Sequence, residues 1–138
     1  MFPAIAACLI LVSLGILHIY WAAGGAAGKD AAIPTKDGRP LFSPAPIGTA
    51  VVGLILFAMA ALVAAKIGWL AAPALQRPVH VGIWLLAILF LLRAIGDFRY
   101  VGFFKRVRDS RFAKLDTVAY SPLCLLLAAL LAISASSR

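Results

Sequence analysis

The sequence predicts an all-α fold, a four-helix transmembrane bundle with both termini on the non-cytoplasmic side. Of 138 residues, 64% are hydrophobic and 13% are charged, and the mean hydropathy is +1.02. Water-soluble domains carry about 45–50% apolar and about 25% charged residues, so this composition argues against a soluble globular domain. Four long apolar runs are joined by short polar segments, and Lys and Arg are unevenly distributed between those segments. We therefore expect a single integral membrane domain over residues 1–138.

The first predicted span covers residues 2–23, which carry no formal charge. As a helix rising about 1.5 Å per residue, this run is roughly 33 Å long and crosses a hydrocarbon core of about 30 Å. A cleaved signal peptide is the alternative, because residues 22–28 are all small. The span is favoured because no Lys or Arg precedes the run, which also exceeds the usual signal-peptide core of about 7–15 residues.

The second and third predicted spans are residues 46–65 and 79–97. The second begins at Pro46, where the missing N–H of proline costs least, and Lys66 follows its end. The third begins after a proline and is apolar until Arg93. We expect its last turns to extend into the headgroup region.

The fourth predicted span covers residues 117–135, with Asp116 as its N-cap. Pro122 lies inside this run and cannot donate a hydrogen bond to the Val118 carbonyl. Two outcomes are compatible with this position. Either the helix kinks at Pro122, or it begins at Ser121 after an interfacial turn.

The distribution of Lys and Arg between the loops predicts the orientation of the chain in the membrane. The termini and the segment 66–78 share one side of the membrane, which holds only Lys66, Arg77 and Arg138. The loops 24–45 and 96–116 share the other side. They carry Lys29, Lys36, Arg39, Arg99, Lys105, Arg106, Arg108, Arg111 and Lys114. The positive-inside rule therefore predicts that both loops are cytoplasmic.

The densest basic segment directly precedes the fourth span, and we expect it to contact anionic lipid headgroups. Each basic residue near such a surface gains about 1 kcal/mol. A nucleic-acid partner is not expected, because no stacking aromatic residues alternate with these cations. The predicted headgroup contacts are Lys105, Arg106, Arg108, Arg111 and Lys114.

Polar side chains on three predicted helices converge on the cytoplasmic end of the bundle. Ionisable residues within a span usually face the bundle interior or a wet cavity. The sequence therefore predicts a polar cluster that either binds a ligand or is purely structural. Its members are His18 and Trp21 on the first helix, Arg93, Asp97 and Tyr100 at positions i, i+4 and i+7 on the third, and Asp116 and Tyr120 on the fourth.

No metal site is predicted, because the sequence has no metal-spaced pair of His residues and no clustered carboxylates. No cofactor is indicated either. Cys8 and Cys124 are expected to lie about 10 Å apart along the membrane normal, too far for a disulfide. His80 follows a proline at the opposite end of the third span, and we expect it at the surface.

Several short segments resemble a known family. They are HIYW at 18–21, IPT at 33–35, PLFSP at 40–44, RAIGD at 93–97, FFK at 103–105 and SPL at 121–123, together with Phe112 and Asp116. With these segments, the chain resembles small bacterial membrane proteins grouped as domain of unknown function 3995. The resemblance covers nearly the whole chain and implies a multi-pass protein, which we expect in the bacterial inner (plasma) membrane. It implies no activity.

Three functions remain open from the sequence. In the first, the polar cluster binds an amphiphile, with His18, Arg93 and Tyr120 at an anionic head beneath the 24–45 loop. In the second, the chain is a non-enzymatic accessory or scaffold subunit, assembled with itself or another membrane protein through alanines four residues apart, such as Ala128 and Ala132. In the third, it is an oligomeric transporter of a small solute. None of the residues named in these three hypotheses indicates a particular chemical reaction.

Overall fold

Four helical segments dominate the computed structural model, which describes residues 1–70 and 75–137. Each segment is long and apolar enough to cross a membrane. The predicted all-α fold with four spans is thus confirmed. The helices are α1 (Phe2–Ala22), α2 (Pro46–Lys66), α3 (Gln76–Ile95), α4 (Arg111–Leu115) and α5 (Ser121–Ser136); a π turn at Asp116–Tyr120 joins α4 and α5 into one 26-residue segment.

The helices pack mainly in two pairs, α1 with α2 and α3 with α5, and α1 also contacts α5. Close approach of α1 and α2 depends on glycine. A Cβ atom at Gly15 would lie 2.8 Å from the ring of Phe57, and one at Gly53 would lie 3.2 Å from the Gly15 carbonyl oxygen. Small residues at such crossings let helices pack tightly in lipid, where burial of apolar surface alone gives little drive for association.

The two ends of the bundle differ in what they hold. At one end, Lys66 Nζ donates a hydrogen bond of 3.3 Å to the Ser137 carbonyl, which brings together the last turns of α2 and α5. The connections 23–45 and 96–110 lie at the opposite end, here called the loop end. Both strongly basic loops therefore share one end of the bundle. Arg138, which the sequence assigns to the other end, lies outside the described residues.

The third helix ends earlier than predicted. It stops at Ile95, because Gly96 has a φ of +94° and turns the chain away from the helical path. Asp97 is therefore in a loop and not in the span. The predicted stripe of Arg93, Asp97 and Tyr100 on one helical face is wrong for this reason.

The fourth segment begins earlier than predicted, and Pro122 lies inside a helical segment that is continuous from Arg111, so the predicted start at Ser121 after an interfacial turn is wrong. Its N-cap is Ser110, whose Oγ accepts a hydrogen bond of 3.0 Å from the Ala113 N–H, and not Asp116. The helix then runs through the π turn, and Pro122 follows in the first turn of α5. A wider π turn frees backbone groups locally, which suits a residue that has no N–H to donate.

The connection 23–45 is more ordered than the loop that the sequence predicts. A short 3₁₀ helix, Asp30–Ala32, precedes a hairpin of β1 (Thr35–Lys36) and β2 (Arg39–Pro40). Its turn residues, Asp37 and Gly38, have φ values of 51° and 76°, as a two-residue type I′ turn requires. This connection covers the loop end beside α1 and α2.

Candidate functional site

The predicted polar cluster is divided between two places at the loop end. His18 and Trp21 line a cavity between α1, α2 and the 23–45 connection. Arg93 and Asp116 instead form a buried ion cluster that joins α3 to the fourth helical segment. Tyr120 contacts the 23–45 connection.

The ion cluster is built around Asp116, whose side chain is fully buried. Its Oδ1 accepts a hydrogen bond of 2.9 Å from Arg93 Nη2. Its Oδ2 accepts hydrogen bonds from the Gly102 N–H at 2.7 Å, from Lys105 Nζ at 3.0 Å and from Ser121 Oγ at 3.2 Å. Both carboxylate oxygens are thus satisfied, as a buried charge requires.

Lys105 is part of this cluster and not of the lipid-facing surface. Only 2% of the residue is exposed. Its ammonium donates to the Gly102 carbonyl at 2.9 Å, to Asp116 Oδ2 and to Thr117 Oγ1 at 2.7 Å, which uses all three N–H groups. The predicted headgroup contact of Lys105 is therefore wrong. A signal for this pairing was available, since a carboxylate as deep as Asp116 needs cationic partners.

A tight loop at residues 96–102 brings these groups to Asp116. Gly96 and Gly102 have φ values of +94° and +89°, and a Cβ at either position would overlap backbone atoms, the Val101 carbonyl oxygen or the Ile95 carbonyl oxygen respectively. Only glycine fits both requirements. The loop therefore folds back on the end of α3 and directs the Gly102 N–H at the carboxylate.

The exposed side chain of Asp97 stabilises the same loop. Its Oδ1 accepts hydrogen bonds from the N–H groups of Arg99 at 2.9 Å, Tyr100 at 2.7 Å and Val101 at 2.9 Å. Partial burial raises the pKa of this carboxyl, but the three N–H donors together lower the pKa below its ordinary value of 3.8. Tyr100 is half-buried beside it, with the Arg99 guanidinium 5.1 Å from its ring centroid.

The composition of the ion cluster favours a structural role. Its carboxylate and its ammonium have all their hydrogen bonds within the protein. Among the described residues, only the Nη1 atom of Arg93 is buried without a partner. The family-like segments at 93–97 and 103–105 supply the two cations of the cluster, Arg93 and Lys105. These segments therefore fix α3 against the fourth helical segment.

The second place is a cavity of about 390 Å³ at the ends of α1 and α2. Its walls are mostly apolar, and two of its side chains can carry positive charge. Among the described residues that line it, none is Asp or Glu. The residues that line it include His18, Trp21, Lys29, Ile33, Phe42 and Val52.

His18 is oriented by α1 itself. Its Nδ1 lies 2.8 Å from the Leu14 carbonyl oxygen, which can only accept, so the proton is assigned to Nδ1. Nε2 of the neutral ring is then an acceptor, and it has no partner among the hydrogen bonds of the described residues. The ring meets Trp21 edge to face, with centroids 5.2 Å apart, as their three-residue spacing predicts.

Two hydrogen bonds hold the 23–45 connection over the cavity. Trp21 Nε1 donates to the Ala27 carbonyl at 2.8 Å, and the Tyr120 hydroxyl donates to the Ala31 carbonyl at 3.1 Å. The Tyr120 ring also packs against Phe112, with centroids 5.9 Å apart. Tyr120 therefore positions the connection from the side of the fourth helical segment.

The remaining predicted residues lie at the surface or in the core. His80 is exposed, as predicted. Cys8 and Cys124 are both free thiols, also as predicted. In the described part of the chain, no three His, Cys, Asp or Glu side chains are grouped to hold a metal ion. The other predicted headgroup contacts are all exposed: Arg106, Arg108, Arg111 and Lys114.

The similarity of the chain to known proteins rests on one family. No curated protein and no solved structure matches the chain significantly. A family model described as protein of unknown function (DUF3995) matches residues 11–131. The matched region contains both the cavity and the ion cluster. The chain therefore belongs to the DUF3995 family, as its short segments predict.

Proposed function

We propose that this protein is a multi-pass protein of the bacterial inner membrane that binds an amphiphile with an anionic head in the cavity beneath the 23–45 connection. One observation carries the proposal. The cavity lies at the end of four apolar helices, and its apolar walls surround two basic side chains, His18 and Lys29, with no acidic side chain among the described lining residues.

The size and chemistry of the cavity suit such a ligand. A volume of about 390 Å³ falls within the range of about 300–1,000 Å³ that small-molecule sites occupy. The Lys29 ammonium attracts a phosphate or carboxylate, and the attraction is stronger where apolar walls exclude water. His18 Nε2 accepts a hydrogen bond when neutral and donates one when protonated. An alkyl chain would contact Trp21, Phe42 and Val52.

This proposal replaces two of the predicted ligand contacts. Arg93 is engaged with Asp116, and the Tyr120 hydroxyl is engaged with the Ala31 carbonyl. Lys29 takes their place as the basic group at the head. His18 and Trp21 keep the roles that the sequence predicts for them.

Membrane orientation is part of the same proposal. The loop end faces the cytoplasm, because it carries most of the Lys and Arg residues. The exposed side chains of Arg106, Arg108, Arg111 and Lys114 then contact anionic headgroups at that surface.

Trp21 offers a direct test, since it is the only one of the three tryptophans that lines the cavity. The Trp69→Phe/Trp84→Phe variant, in phosphatidylcholine nanodiscs, is titrated with a chain-brominated dodecyl phosphate, whose bromine quenches tryptophan fluorescence. We expect saturable quenching. Lys29→Glu should weaken binding at least tenfold, because a charge-assisted hydrogen bond contributes about 1.5–3 kcal/mol. Lys36→Glu, on the exposed hairpin, should not.

A second single-tryptophan variant controls for partition into the bilayer. Trp84 is on the outer surface of α3, where it is 39% exposed. In the Trp21→Phe/Trp69→Phe variant, simple partition would quench Trp84 without saturation. If Trp21 is quenched in the same unsaturable way, and Lys29→Glu has no effect, the proposal is wrong.

An accessory subunit of a membrane complex is the second candidate function. The observation in its favour is an apolar groove between α3 and α5, lined by Trp84, Ala128 and Ala132 among others. Small residues there permit close approach of another helix. Photocrosslinking from position 129, which also lines the groove, would capture one constant membrane partner if this function is right. Crosslinks to lipid alone would contradict it.

A further inference from the structure

A second cavity adjoins the first beneath the hairpin. It has a volume of about 470 Å³ and lies between the 3₁₀ helix and the strands β1 and β2. Four residues line both cavities: Lys29, Ile33, Phe42 and Pro44. The two spaces are therefore neighbouring chambers, with Lys29 at their junction. We call them the apolar chamber, beside Trp21, and the hairpin chamber.

The hairpin chamber differs from the apolar chamber in its polar groups. Its lining includes the carboxylate of Asp30 and the hydroxyls of Thr35 and Ser43. No hydrogen bond within the described part of the chain uses these three side chains. Asp30 and Ser43 are exposed and Thr35 is half-buried, so a ligand can replace the water at these groups, whereas the polar groups of the ion cluster are held within the protein. An apolar chamber beside a chamber of mixed polarity matches the two parts of an amphiphile.

The charges at the junction specify the head further. Lys29 is positive and lines both chambers, and Asp30 follows it in the chain and lines only the hairpin chamber. A phosphate at the Lys29 ammonium is attracted there but repelled by the Asp30 carboxylate. If the head also carries an N–H or O–H donor, a charge-assisted hydrogen bond from this donor to the Asp30 carboxylate offsets the repulsion. A quaternary ammonium has no such donor.

We infer that the hairpin chamber binds the head of the amphiphile, and that this head combines a phosphate with an ammonium or hydroxyl donor, as in phosphoethanolamine or phosphoglycerol. The phosphate lies at Lys29, and the donor reaches the Asp30 carboxylate, with Thr35 and Ser43 beside it. The single alkyl chain lies in the apolar chamber. This inference rests on the proposed function and adds to it the chemical class of the head.

Competition binding tests the class of head. The Trp69→Phe/Trp84→Phe protein in phosphatidylcholine nanodiscs is loaded with the brominated dodecyl phosphate. Dodecylphosphoethanolamine, dodecylphosphoglycerol and dodecylphosphocholine, which lack the glycerol hydroxyl of a lysolipid backbone, are then added as competitors. We expect at least one of the first two to compete at least fivefold better than dodecylphosphocholine, and the better competitor identifies the donor as ammonium or hydroxyl. Equal competition by all three would overturn the inference.

Two aspartates make the test specific to the hairpin chamber. Asp30→Asn should reduce the preference over dodecylphosphocholine to within twofold. Asp37→Asn should leave it unchanged, because Asp37 lines neither chamber and Asn tolerates its positive φ. A preference that survives Asp30→Asn would also overturn the placement of the head.

The outcomes separate this inference from the proposed function. If all three dodecyl phosphodiesters compete equally, and Lys29→Glu still weakens binding at least tenfold, the amphiphile site remains and only the class of head is wrong. If the dodecyl phosphate quenches Trp21 without saturation, the proposed function fails, and the inference fails with it.

Discussion

Asp116 shows how a single buried charge can organise one end of a membrane bundle. Its carboxylate collects partners from α3, from the 96–110 connection and from α5. Removing one partner of a buried ion pair typically costs about 3–5 kcal/mol, because the remaining charge is left without compensation. Because both Asp116 and Lys105 are buried, this cost applies to their ion pair.

Asp116→Asn should therefore be strongly destabilising. The change keeps the side-chain shape but leaves the Lys105 ammonium buried without a counter-charge. We expect the free energy of unfolding in mixed micelles to fall by about 3–5 kcal/mol. Asp109→Asn is the matched control, since Asp109 is exposed and should change stability by less than about 0.5 kcal/mol. Equal effects of the two changes would show that the ion cluster does not stabilise the fold.

Asp97 should make the 96–102 loop sensitive to acid. Its pKa is lower in the folded protein than the ordinary value of 3.8, so its stabilisation is complete above pH 3.8 and is lost as the pH falls through the folded pKa. Hydrogen exchange of the Arg99, Tyr100 and Val101 amides, expressed as protection factors, measures this. Protection should fall below pH 3.8 in the wild type. In Asp97→Asn, protection that still depended on pH in this range would contradict the assignment.

The side chains that the sequence predicts best are those whose partners lie on the same helix. His18 and Trp21 are in contact, as their spacing on α1 predicts. Lys105 was wrongly predicted because it lies in a run of basic residues, and composition does not distinguish the one that is buried. Its three acceptors depend on a backward fold of the chain at Gly102.

The loop after α3 is the element whose geometry most constrains the sequence. Gly96 and Gly102 both adopt positive φ, and both have backbone atoms where a Cβ would be. The loop in turn carries the Phe103 N–H to the Ala94 carbonyl at 2.8 Å, which satisfies one of the last carbonyls of α3.

Gly96→Ala should disrupt this loop. The added methyl would overlap the Val101 carbonyl oxygen, and the strained φ adds about 1–3 kcal/mol of its own. We expect a loss of stability of at least that size, together with faster exchange of the Gly102 amide. Gly48→Ala is the control, because a Cβ there meets nothing within 4 Å and Ala favours a helix by about 1 kcal/mol. If both variants are equally stable, the geometry of the loop does not limit the sequence at Gly96.

The sequence predicts the existence of the four membrane-spanning helices more accurately than the residues at which they begin and end. Four apolar runs are enough to predict four spans, because their length must match the bilayer. The end of the third helix was not predicted correctly because it depends on the positive φ of Gly96. The start of the fourth helical segment was not predicted correctly because it depends on the Ser110 cap. The π turn before Pro122 was missed because the sequence shows only the missing donor and not how the backbone compensates.

Helix pairing decides which polar residues meet, and the sequence contains little information on pairing. Apolar residues surround each helix, so periodicity does not mark the face that meets a neighbour. All three polar groups do lie at the loop end, as predicted. Because α1 pairs with α2 and α3 with α5, His18 faces the cavity, whereas Arg93 meets Asp116. The residues of one predicted cluster thus divide between a cavity and a buried ion cluster.

Native mass spectrometry of the purified protein tests the amphiphile site most directly. The wild type, Lys29→Glu and Lys36→Glu are extracted from the same host in the same mild detergent, and the mass of any bound small molecule is recorded. We expect one bound amphiphile, with a phosphate identified by fragmentation, in the wild type and in Lys36→Glu, and its loss in Lys29→Glu. The same bound mass at the same occupancy in all three proteins would contradict the site.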